Sequence, residues 1–229
     1  MMSGLLVLLL ASISDRLTPV YLCYLLPAIL VSLTLHEWGH AYVAWRLGDP
    51  TARRLGRLSV NPLRHLDPVG TALLVFAGFG WAKPVPIDPR YFRHPRRDDF
   101  LVSIAGITVN LLLAFVAALA LSLFAHFPPS GGVSRALLYV LQYFCNFCYV
   151  MVQVNAALAA FNLIPIPPLD GYHVLNDLVL HLPLYASAQA QQFGWVALVL
   201  LSMTGITSRI IGSLVTVITD VLFFLVHLR

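Results

Sequence analysis

His36-Glu37-Trp38-Gly39-His40 holds the only glutamate of this 229-residue chain. On a helix, two histidines four residues apart share a face, so both imidazoles can reach one zinc ion. Glu37 then stands beside the metal, where a carboxylate can take a proton from zinc-activated water. The motif lies in an apolar run from Leu17 to Trp45 in which Glu37 is the only charge. A carboxylate at membrane depth is costly, and an ionisable group there points to function by default.

A catalytic zinc takes three protein ligands and keeps one position open. A third ligand is offered by the segment Phe161-Asn162-Leu163-Ile164-Pro165-Ile166-Pro167-Pro168-Leu169-Asp170-Gly171. Its prolines cannot continue a helix. Broken backbone at membrane depth is tolerated only where it is buried or lines a watery cavity. Asp170 is the first charge after Arg135. It suits the N-cap of a short helix over 171–181, but its placement opposite the histidine motif favours a metal ligand, and the two carboxylate oxygens allow both roles at once. Of the remaining polar candidates, His173 and Asp177 read as outer groups of the site or as solvated helix residues. Asn110 reads as an interhelical hydrogen bond or a site residue. His65, His94, His126, His181 and His227 read as interfacial.

The elements that must position these groups are membrane helices. The chain is 59% hydrophobic and 10% charged, with a mean hydropathy of +0.82, against about 25% charged residues in soluble domains. The sequence predicts an all-α polytopic membrane protein in one domain over 1–229, with a core over about 17–182. Apolar runs predict about six spans: a short retained helix near 1–14, then 17–45, 100–126, 135–160, 187–204 and 210–228. Asp220, inside the last, faces a bundle interior or lies near an interface. Between the second and third spans, Pro and Gly punctuate 48–97, and 71–86 predicts short strands and turns close to the bilayer. Ten of the fourteen Lys and Arg residues lie between Arg46 and Arg97. Placed between apolar spans, this block predicts a cytoplasmic loop facing anionic lipid. No groove-reading module accompanies it, so no nucleic-acid partner is expected. With that loop inside, His36, His40 and Asp170 all approach the cytoplasmic side. Cys145 and Cys148 form a C-x-x-C in a helical stretch with no second pair, which reads as packing.

His36-Glu37-Trp38-Gly39-His40, Asn162-Leu163-Ile164-Pro165 and Leu169-Asp170-Gly171 together resemble the site-2 protease family of intramembrane zinc metalloproteases. Gly80-Trp81-Ala82-Lys83-Pro84-Val85-Pro86 is similar to that family's membrane-associated loop, and Gly106-Ile107-Thr108-Val109-Asn110 to its G-x-x-x-N helix start. The resemblance covers about residues 20–180 and implies a bundle around three core helices. It implies one zinc ion on His36, His40 and Asp170, Glu37 as catalytic base, and Asn162 steadying substrate or oxyanion. No stretch of this sequence is left over for the PDZ or CBS domains that some members carry. The expected substrate is a single-span membrane protein, made extended before attack. Residues Phe79, Gly80, Trp81 and Lys83, with Asn162, are expected to contact it, through β-addition to an edge in the 54–86 region or with that region serving as an amphipathic anchor. Two other readings compete. A non-catalytic zinc sensor or scaffold has no use for a glutamate beside the metal. A metal transporter needs several polar sites along a path.

Overall fold

A computed structural model describes residues 18–77, 82–127, 134–183 and 187–227. The expected helix at 1–14 and the loop residues Phe79, Gly80 and Trp81 lie outside the described residues.

Helix α1 (Pro19–Arg46) starts with proline in its first turn, where the missing N–H costs nothing. It ends where Gly48, at φ +110°, turns the chain ahead of Pro50. A single turn, α2 (Thr51–Arg54), and helix α3 (Pro68–Ala77) follow. Helix α4 (Pro95–His126) is 32 residues long, and α5 (Arg135–Asn162) is 28. Ser134 caps α5 by accepting from the Leu137 N–H. The short α6 (Asp170–Leu175) runs into a π-helical turn over Asn176–Leu180. Helices α7 (Ala188–Met203) and α8 (Ile206–Leu225) complete the described chain.

Four of these, α1, α4, α5 and α8, are long and apolar enough to cross a membrane. Helix α7 has 16 residues, short of the roughly 20 a span needs, so the expected span at 187–204 is a shorter helix than predicted. Large apolar side chains on the outer faces, such as Val116, Leu123, Val217 and Phe224, are exposed, as suits contact with lipid.

Helices α1, α4 and α5 pack together as a central trio, and α8 lies against α5. Alanines at the crossings, including Ala114 and Ala118 on α4 and Ala156 and Ala160 on α5, are fully or nearly fully buried and allow close helix approach. One end of the trio is filled by Leu25, Ile29 and Leu33 with Met151 and Val152. The other end carries the polar groups.

The expected short strands over 71–86 are not formed among the described residues. Part of that stretch is helix α3, capped by Asp67, whose Oδ1 accepts from the Gly70 N–H at 2.8 Å. The remainder shows one antiparallel bridge, Leu66 with Ala82. The ladder stops there because Pro84 and Pro86 have no N–H to donate. Residues 82–88 instead form an extended strap. It is tied down by the Lys83 N–H on the His65 carbonyl, by Arg57 on the Lys83 carbonyl, and by the Asp88 N–H on Asp49 Oδ2 at 2.8 Å.

Candidate active site

His36 and His40 project from one face of α1, and Asp170 enters from the first residue of α6. Leu169 takes the N-cap position, so the Asp170 carboxylate does not cap the helix. Its Oδ2 lies 3.4 Å from His36 Nε2 and 3.4 Å from His40 Nε2, and the two Nε2 atoms are 3.0 Å apart. The Gly171 position permits this entry: a Cβ there would collide with the Leu163 carbonyl.

The tautomers follow from the other ring nitrogens. His36 Nδ1 donates to Asn110 Oδ1 at 2.6 Å, and His40 Nδ1 donates to the Val102 carbonyl at 2.7 Å. Both Nε2 atoms are therefore bare lone pairs. They converge with Asp170 Oδ2, a buried oxygen that has no hydrogen-bond donor. Three acceptors facing one another without a proton repel unless a cation sits among them. Zinc bonds of about 2.0–2.1 Å in a tetrahedron put neighbouring ligand atoms about 3.3–3.4 Å apart. The two separations from Asp170 match and the Nε2 pair, at 3.0 Å, is slightly closer; two imidazoles with one carboxylate are ordinary zinc ligands, so these residues fit the metal.

Helix α4 supplies the acceptors and the space. A Cβ on Gly106 would lie 2.5 Å from both imidazoles. One turn later Asn110, fully buried, meets His36. Gly39 lets α1 approach α4 at Ala105 and Val109.

Glu37 is buried beside the histidines, and its Oε2 accepts from the Val85 N–H of the strap at 2.9 Å. Arg57, also buried, holds that strap from behind. Burial lowers the Arg57 pKa from its ordinary value, and the Glu37 charge opposes that shift. A cavity of about 830 Å³ opens in front of these groups. Pro84 and Val85 of the strap, Asn162 of α5, and Gln191 and Trp195 of α7 are among its walls. Helix α7 sits directly on the proline segment, since a Cβ on Gly194 would clash with the Pro167 carbonyl.

The structure thus brings His36, Glu37, His40, Asn162 and Asp170 to one cavity. Asn162 Nδ2 donates to the Leu158 carbonyl at 3.0 Å. Lys83 contributes its backbone to the strap, while its side chain is exposed. His173 also lines the cavity, with Nδ1 on Asp99 Oδ2 at 2.9 Å. Burial disfavours its charged form, but the bond and charge of Asp99 outweigh this and raise the His173 pKa above its ordinary value. Asp177 is buried rather than solvated, 3.9 Å from Arg96. His65 is fully buried, with Nε2 on the Ser59 carbonyl at 2.6 Å. Among the groups that escaped the sequence reading are the Val85 N–H, the Val102 carbonyl, and the Arg57 and Asp99 side chains. Main-chain donors and acceptors recur at nearly every residue, so no residue type marks the first two.

Residues 138–204 match peptidase family M50. The chain is 41% identical over 190 residues to the Bacillus subtilis (strain 168) protein named "Putative zinc metalloprotease YwhC", covering 82% of this chain and 84% of that one. It is 34% identical over 185 residues to "Putative zinc metalloprotease Rip2" of Mycolicibacterium smegmatis, over 79% of this chain and 66% of the relative. With the Rip2 of Mycobacterium tuberculosis (strain H37Rv) it shares 38% over 178 residues, 75% of this chain and 63% of the relative. No solved structure matches the chain.

Apolar spanning helices around a His, His, Asp cluster, together with these relatives, define a metalloprotease integral to the membrane. The chain belongs to peptidase family M50, the family of the site-2 proteases.

Proposed function

We propose that this protein is an intramembrane zinc endopeptidase. It hydrolyses a peptide bond in or near the transmembrane segment of a single-span membrane protein. The observation that carries this reading is the triangle of His36 Nε2, His40 Nε2 and Asp170 Oδ2, with Glu37 alongside, in a cavity walled by membrane helices.

One zinc ion held by His36, His40 and Asp170 would polarise the scissile carbonyl and lower the pKa of a water toward about 7. Glu37 takes the water's proton and passes it to the leaving amine. The Val85 N–H, by occupying Oε2, fixes the direction in which the carboxylate points. Asn162 carries two amide protons. One is spent on the Leu158 carbonyl, which orients the group, and the second is available to an oxyanion. Hydrogen bonds to charge that develops only in the transition state lower the barrier rather than tighten the ground state.

The substrate is drawn into extended form beside the strap, whose Pro84, Val85 and Ile87 face the cavity. The cytoplasmic side is where the site opens. Two facts support this: the basic block of 46–97 is at that end, and Arg96 within it donates to the His181 carbonyl just beyond the π turn.

The test is zinc content of the purified chain in detergent, together with cleavage of a reconstituted single-span substrate. Native protein should hold about one zinc, Asp170→Ala should lose most of it, and Glu37→Gln should keep zinc and lose turnover. Zinc-loaded Glu37→Gln that still cleaves would sink the general-base role.

A further inference from the structure

Asn155 lies on α5, seven residues before Asn162, and is fully buried. A chain of hydrogen bonds joins it to His36. Its Nδ2 donates to the Met151 carbonyl at 2.8 Å, and its Oδ1 accepts from Asn110 Nδ2 at 2.9 Å. Asn110 Oδ1 in turn accepts from His36 Nδ1 at 2.6 Å. We propose that Asn155 is a positioning residue for the metal site, which sets the tautomer of His36 from a third helix. The proposal rests on the reading of His36, His40 and Asp170 as a zinc site.

The direction of the chain of bonds is forced at its far end. A carbonyl oxygen accepts and never donates. The Met151 carbonyl therefore requires the NH2 of Asn155 to face it, which turns Asn155 Oδ1 toward Asn110. Only the NH2 of Asn110 can answer, so Asn110 Oδ1 is turned toward His36. That oxygen demands a proton on Nδ1 and leaves Nε2 bare for the metal. With the amides reversed, an NH2 would face His36 Nδ1, the ring proton would move to Nε2, and ligation would be blocked. His40 reaches the same end by a shorter route, because its Nδ1 donates straight to the Val102 carbonyl. Each histidine thus terminates on a main-chain carbonyl, one directly and the other through two amides.

A bond serving only to join α4 to α5 would have no such requirement. Either orientation of the two amides makes one Asn110–Asn155 hydrogen bond of equal quality. Both residues are fully buried, so water does not substitute for a lost partner.

The experiment uses the full chain in detergent, with zinc affinity read by chelator competition and histidine tautomers read by 15N NMR of the metal-free protein. Native His36 should show Nδ1–H. Asn155→Leu frees the Asn110 amide, so His36 should become a mixture of tautomers and zinc affinity should fall about tenfold or more. Asn155→Asp should stay near native, because a carboxylic acid kept neutral by burial can donate to Met151 and accept from Asn110. Native zinc affinity in Asn155→Leu with only a lower melting temperature would overturn the proposal in favour of helix joining. So would His36 carrying its proton on Nε2 in the native metal-free chain, a measurement that needs no variant to fold. A native chain that takes up no zinc overturns the metal-site reading and the proposal with it. Native uptake with an Nε2–H on His36 overturns the proposal alone.

Discussion

Two bare imidazole nitrogens and a carboxylate oxygen within 3.4 Å of one another leave the site with more acceptors than the protein supplies donors. Residue types made this half of the site legible from sequence. Histidine spacing and a lone glutamate announce chemistry, and a carboxylate after a run of prolines completes it. Burial of single polar residues was not legible. His65 stands beside Arg64 and Asp67, and Asp177 lies in a short run beside Asn176; neither context says whether the chain later covers the side chain. Asp177 carries a consequence in pH. Burial, then the Asp99 carboxylate, push it up to about 7 despite Arg96 and His173. An unfolded aspartate titrates near about 3.9, so between these values the folded chain holds more protons than the unfolded one. Its contribution to stability is present below about pH 4 and lost as pH rises through about 7. Asp177→Asn should raise the melting temperature at about pH 8 and change it little at about pH 3. An equal gain at both would show that the carboxylate's charge is not what destabilises.

At the scale of elements, the site is a meeting of α1, α4, the start of α6, the end of α5 and the strap. The G-x-x-x-N pattern now has a physical meaning: Gly106 clears room for two imidazoles, and Asn110 accepts from one of them. Gly106→Ala should displace both histidines, cutting zinc affinity by about 10–100-fold as supporting-shell changes do, with helix content by circular dichroism unchanged. Native zinc binding in that variant would mean that α4 yields easily at this crossing. The strap was legible as irregular but not as to its partners. Prolines at 84 and 86 made it look like interrupted strand, and the same prolines are why it pairs with side chains and single carbonyls. Val85→Pro removes the one N–H that holds Glu37. A base misplaced by about 1 Å can cost about 10²-fold in rate, so turnover should drop on that order while zinc content stays native. Loss of zinc along with rate would show that the strap supports the ligands as well as the base.

For the whole molecule, apolar runs marked α1, α4, α5 and α8, because a span must satisfy its backbone internally and carries few charges. Helices below span length carry a weaker signal. The 187–204 run looked like a further span, yet α7 has 16 residues and reaches only about 24 Å. That helix forms one wall of the cavity through Gln191 and Trp195. The hydrocarbon slab is about 30 Å thick, so a helix of this length set across it would require the lipid beside it to thin, or to draw its headgroups inward, to meet the helix ends. Hydrolysis consumes water, and a dimple in the bilayer shortens the distance that water travels to reach a buried carboxylate. Lipids with longer acyl chains should resist the dimple. Cleavage in such vesicles should slow relative to thinner ones, with zinc content equal in both. Equal rates across thicknesses would mean that water arrives by a route inside the protein, independent of its lipid surroundings.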